Sequence, residues 1–166
     1  MVDIQLPTRS EPANYFCLSP AQIMSYRTQY KWLNEKEEWG AWHKKNVISK
    51  HISNCFNVTY KSNSIGLRGE EVNLENERNI FLIGDSFAEG WGVNREETLQ
   101  HLLETEFSSQ VLNLGISGDV GPLQYYLIYK NYKDLIPHEK IIILFFPFND
   151  FHNNDYKYWH KTNKKF

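Results

Sequence analysis

The chain has 166 residues, 41% of them apolar and 23% charged, with a formal net charge of -2. That length builds one domain with a real core but hardly two, and a charge so near zero excludes a global field recruiting nucleic acid or anionic lipid. The two cysteines, Cys17 and Cys55, form neither a CxxC pair nor a metal-ligand spacing and read as free thiols.

The opening stretch, MVDIQLPTRSEPANYF, lacks a basic region followed by an apolar run, so no signal peptide is read there. The longest apolar run, IIILFFPF, is far too short to span a bilayer. No membrane contact is expected, and a cytoplasmic location is the default. Residues 1 to about 18 read as an irregular arm. Ser19-Pro20 has the pattern of a helix start, Ser as N-cap and Pro in the first turn. The following segment, to about Lys45, has a loose helical period, with Trp32, Trp39 and Trp42 as buried anchors and Gly40 weakening or dividing the helix. The arm and this helical extension together make up residues 1–56. A short strand is expected over Val58 to Tyr60, followed by the turn-rich SNSIGLRGEE.

From residue 79 the pattern becomes regular. Ile80 to Ile83 is a continuous apolar run, as in a strand covered on both faces. Asn94 and Glu97 have the spacing of a box-like helix cap. Leu99, Leu102, Leu103 and Phe107 mark one face of the helix that follows. Val111 to Leu114 reads as a second buried strand. Gly121-Pro122 opens a second helix, with Leu123, Tyr126, Leu127 and Lys130 along it. Ile141 to Phe146 is the third and most apolar strand. Strands alternating with helices in this way form a parallel sheet with helices on its faces.

In such a sheet, ligands bind beyond the carboxyl ends of the strands. Those exits carry Gly84-Asp85-Ser86, then NLGISGDVG over residues 113–121, then FPFNDF over residues 146–151. Alone, Ser86 is as readily a helix-capping serine as a nucleophile. With the other two exits it has potential partners. A glycine allows close backbone approach, and an asparagine amide donates a hydrogen bond. A serine ringed by such donors suits acyl transfer. Asp85, Asp119 and Asp150 read as loop-organising carboxylates. The segment GDSFAEGWG has neither GxGxxG nor a P-loop lysine, which leaves a flavodoxin-like nucleotide binder as a weak rival. His43, His51, His101 and His138 fall in helix or connector segments and are assigned no role.

The order GDS, Asn-x-Gly-x-x-Gly and Asn-Asp, each after an apolar strand, resembles the SGNH (GDSL-type) hydrolases over roughly residues 57–151. The segment NSIGLRGEE resembles one that precedes the GDS block in some bacterial members. The resemblance implies a three-layer α/β/α sandwich with a flavodoxin-like parallel sheet, its SGNH-like domain spanning 57–166. It implies Ser86 as nucleophile, with Gly118 as backbone oxyanion donor and Asn149 as side-chain oxyanion donor. Asp85 and Asp150 would support them. No cofactor or metal is implied. The substrate would be a small ester or an acylated carbohydrate.

Two departures from the family pattern stand out. The third block is Phe146-Pro147-Phe148-Asn149-Asp150 rather than Gly-x-Asn-Asp, and the last part holds no Asp-x-x-His, the block supplying the orienting acid and base. The chain thus resembles the front portion of such a hydrolase, its sheet incomplete. His152, three residues past Asn149, is a substitute base candidate with Asp155 to orient it; an exposed loop histidine is the competing reading. The alternative function is a catalytically inactive, truncated SGNH-like binding domain. An incomplete sheet would leave its third strand as an open apolar edge, a route to self-association.

Overall fold

The computed structural model describes residues 33–53, 56–118 and 120–155. It is a mixed α/β structure: two antiparallel hairpins precede a three-stranded parallel sheet with helices. The arm, the Ser19-Pro20 helix start, Trp32 and both cysteines lie outside the described residues.

The expected helix is corrected over residues 33–43, which form a hairpin of β1 (Leu33–Glu37) and β2 (Gly40–His43). Gly40 sits just past the reversal at φ +109, a conformation that side-chain-bearing residues avoid. Trp39 and Trp42 are buried as expected. They meet edge-on at 5.6 Å and pack on Tyr132, and the Trp42 indole N–H donates to the Ile65 carbonyl at 3.1 Å. Burying two such rings outweighs the helical preference of the intervening sequence.

The second hairpin joins β3 (Ile48–Ser53) to β4 (Phe56–Lys61) in regular antiparallel register. The expected strand over Val58 to Tyr60 lies within β4. The chain then turns tightly through Asn63, whose side-chain carbonyl accepts from the N–H groups of Ile65 and Leu67.

The parallel sheet has the order β6-β5-β7. β5 (Ile80–Gly84) is central and wholly buried, β6 (Val111–Asn113) flanks it on one side, and β7 (Lys140–Leu144) on the other. Side chains alternate along a strand, so β5 feeds two cores. Phe81 and Ile83 join Leu112, Leu114, the two tryptophans and the helix α3 (Pro122–Tyr132). Ile80 and Leu82 join Val111, Ile142, Leu144 and the helix α2 (Leu99–Phe107).

Both long helices use narrower faces than their apolar residues suggest. On α2, Leu99 and Leu103 pack on the sheet, while Leu102 and Phe107 face solvent. On α3 the buried residues are Tyr125, Ile128 and Tyr132; Leu123, Tyr126 and Lys130 are exposed and Leu127 is half-buried. Apolar residues surround both helices, so only contact with the sheet selects the buried stripe. Asn94 and Glu97 do pair, the Asn94 N–H donating to the Glu97 carboxylate at 3.2 Å, but they close a 3-10 turn over Arg95–Glu97. Thr98 is the cap of α2, accepting from the His101 N–H.

β7 ends two residues short of the expected Phe146 and is half-exposed rather than buried. Pro147 then opens the short helix α4 (Pro147–Asn153), which carries Asn149 and Asp150 in its first turns rather than in a loop.

Candidate functional site

β5 ends at Gly84, Asp85 caps the next helix, and Ser86 opens that helix, α1 (Ser86–Glu89). The turn is sharp because Gly84 lacks a side chain: a Cβ there would lie 2.7 Å from the Leu144 carbonyl and 2.8 Å from the Ala88 methyl. The Asp85 carboxylate accepts from the Phe87 N–H at 2.9 Å. Ser86, at the first helical position, is half-buried, and its N–H has no acceptor within the helix. Among the described residues no side chain hydrogen-bonds its hydroxyl, so the structure places no base on it.

The second strand exit is pressed against α1. The Asn113 amide donates to the Ala88 carbonyl at 2.9 Å, and its oxygen accepts from the Gly115 N–H at 2.9 Å. A Cβ on Gly115 would fall 2.4 Å from the Glu89 nitrogen, so only glycine permits this approach. Gly118 is exposed at φ +137, with nothing within 4 Å of where a Cβ would stand. The side chain of Asp119 lies outside the described residues.

The third exit joins the first directly. The Asn149 amide donates to the Asp85 carboxylate at 3.2 Å. That contact fixes the orientation of the amide, because its oxygen would be repelled by the carboxylate. The Asn149 oxygen is buried without a hydrogen-bond partner, and one amide hydrogen remains for another acceptor.

Asp150 is fully buried and holds the base of α4 in place, accepting from the Phe146 N–H at 2.8 Å and the Tyr125 hydroxyl at 2.9 Å. Burial pushes the Asp150 carboxyl up; its two hydrogen bonds pull it down, and the Asp85 charge adds to the rise. Burial and the bond to Asp150 push the Tyr125 phenol far above its ordinary range. Asp85 and Asp150 are thus loop organisers, as their residue type suggests. His152 is exposed on α4, and the Asp155 N–H donates to its backbone carbonyl at 3.0 Å.

A second layer holds α1 from behind. Arg68 is buried and donates to the carbonyls of Glu89 at 2.6 Å, Gly90 at 2.5 Å and Val93 at 2.6 Å. Its guanidinium lies 4.0 Å from the centre of the Tyr60 ring. The Tyr60 hydroxyl accepts from the Gly92 N–H, and burial pushes that phenol up to about 12. Glu89 and His43 are buried together at 3.0 Å, and the other ring nitrogen of His43 meets the Gly66 carbonyl at 2.9 Å. That carbonyl only accepts, so the ring nitrogen facing it is the N–H donor. Sequence reasoning missed Tyr125, Glu89 and His43. Arg68 stood inside the quoted NSIGLRGEE, where its charge among turn residues was the signal.

Among the described residues no group of three or more His, Cys, Asp or Glu side chains is placed to hold a metal ion, and no helix is long and apolar enough to cross a membrane. Compared with protein-family models and with curated proteins, the chain finds no significant match.

Proposed function

We propose that the chain carries a serine-nucleophile site for ester hydrolysis, or acyl transfer to another hydroxyl, on a three-layer α/β/α scaffold of the SGNH type. The observation that carries this reading is the hydrogen bond from Asn149 to Asp85, which draws an amide donor to the turn that presents Ser86. In the proposed reaction the Ser86 oxygen attacks an ester carbonyl. The resulting oxyanion is held by the N–H groups of Ser86 and Gly118 and by the Asn149 amide. The serine proton passes to a base, which delivers it to the departing alcohol as the oxyanion collapses and the ester C–O bond breaks; water or an acceptor hydroxyl then attacks the acyl-serine, its proton returning to Ser86 through the same base as the acyl group is released. The reaction uses only side-chain and backbone donors, and a small ester or acylated carbohydrate is the substrate class.

The test is turnover of p-nitrophenyl acetate by the wild-type chain and by Ser86→Ala. A rate that falls to background in Ser86→Ala supports the reading; equal rates in both proteins overturn it. The second reading, an inactive binding domain, is favoured by the absence of any described histidine on the Ser86 hydroxyl. A fluorophosphonate probe separates the two, since it labels an activated serine and leaves an inert one unmodified.

A further inference from the structure

The helix α4, which carries Asn149, has seven residues. A helix so short does not hold itself in water, so its place is set by what it bonds to. At its far end the Asn153 amide donates to the Val120 carbonyl at 2.7 Å, and the Leu123 N–H donates to the Asn154 side-chain oxygen at 2.8 Å. Val120 is two residues past Gly118, so this end ties the second strand exit to the third. At its near end Asp150 makes the attachment. One carboxylate oxygen accepts from the Phe146 N–H and closes the first turn; the other accepts from the Tyr125 hydroxyl of α3 at 2.9 Å. Both side chains are buried. The Tyr125 phenol is pushed far above its ordinary range, so it keeps its proton and remains a donor. The backbone helps this turn little: the Asn149 N–H reaches the Phe146 carbonyl only at 3.3 Å, past the usual range.

Asn149 adjoins Asp150, and neighbours on a helix point about 100° apart. Asp150 is turned to Tyr125 of α3, while Asn149 is turned to the residue before Ser86, donating to Asp85 at 3.2 Å. The first turn of α4 is therefore pinned by two carboxylates, its own against Tyr125 and that of Asp85 against Asn149. A rotation or fraying that breaks the first bond draws the Asn149 amide off the second. We infer that Tyr125 is a positioning residue for the Asn149 amide: its hydroxyl, acting through Asp150, sets where that donor lies beside Asp85 and Ser86. The effect on rate rests on the serine-nucleophile reading; the placement of the amide is a property of the fold. The Tyr125 hydroxyl bonds Asp150, so its influence on an oxyanion passes through Asn149.

The test follows the Asn149 side-chain amide by NMR in the isotope-labelled full chain, identified as the signal pair that Asn149→Ala removes. Tyr125→Phe deletes one oxygen and keeps the ring. The expected result is an upfield shift of the amide protons and faster exchange with water, as the bond to Asp85 loosens. Asp150→Asn weakens the same tie from its other side; it gives the same change and serves where Tyr125→Phe folds poorly. In turnover of p-nitrophenyl acetate, Tyr125→Phe lowers kcat about tenfold, the cost of a misplaced donor, with KM little changed. In an Asn149→Ala background it lowers kcat no further, whereas a merely structural tyrosine would cost the same factor in both backgrounds. An Asn149 signal that both variants leave in place overturns the inference, as does an equal loss of rate with and without Asn149. A wild-type chain that turns over no ester overturns the Ser86 reading, and the amide signal then decides this inference by itself.

Discussion

Asn149 donates its side-chain amide to the Asp85 carboxylate across 3.2 Å, joining the residue before Ser86 to the first turn of the helix after β7. Sixty-four positions apart in the chain, the two become neighbours because β5 and β7 are adjacent and parallel. Asp85 accepts this bond on one oxygen and the α1 cap on the other, so each oxygen already holds a donor.

Asn149→Ala is expected to lower kcat for a p-nitrophenyl ester by about 10²- to 10³-fold, the usual effect of removing one oxyanion donor. KM should change much less, because the donor acts on charge that develops in the transition state. Steady-state kinetics beside the wild-type chain check this.

The two glycines of the second loop should respond differently to alanine. Gly115→Ala drives a methyl into the backbone of Ala88 and Glu89 and should cost more than about 2 kcal/mol of stability. Gly118→Ala meets open space, so only the positive φ opposes it, at about 1–2 kcal/mol. Urea denaturation of both variants gives the comparison.

Arg68→Ala should destabilise the fold by about 3 kcal/mol or more, because three carbonyls at the end of α1 lose a charged donor. Arg68→Lys keeps the charge but lacks the planar fork that reaches all three, and should recover only part of the loss. Thermal melts of the two variants beside wild type test the ordering.

Stability should fall as the pH drops below about 6.5, the ordinary imidazole value. His51 is buried against the Tyr60 ring at 4.0 Å. Burial lowers its pKa, Glu89 opposes that shift, and Arg68 and His43 add to it. Between the lowered folded value and the ordinary one, the unfolded chain binds the extra proton, so ΔG of unfolding rises with pH, by up to about 1.4 kcal/mol per unit. His51→Phe should flatten that dependence, measured as urea midpoints at pH 7.5 and pH 5.5.

The parallel strands were legible because a continuous apolar run of four or more residues means burial on both faces; Ile80 to Ile83 has that form, and Val111 to Leu114 has it but for Asn113. The three strand exits followed from the same reading. The hairpin at residues 33–43 was not legible, since Trp39 and Trp42 satisfy a helical spacing as well as a turn followed by a strand. Their partners, Tyr132 and the Ile65 carbonyl, are remote in the chain. The buried stripe of α3 was missed for a related reason: leucine and tyrosine occur all round the helix.

The sequence by itself determined the three parallel strands and the turn that carries Ser86, because each depends on a run of neighbouring residues. Only the tertiary structure decided that Asn149 and Asp150 start a helix, that Asn149 reaches Asp85, and that Arg68, Glu89 and His43 brace α1. These are meetings between segments far apart in the chain. Their energies come from desolvated hydrogen bonds and shared charge in a buried site, and no local pattern encodes them.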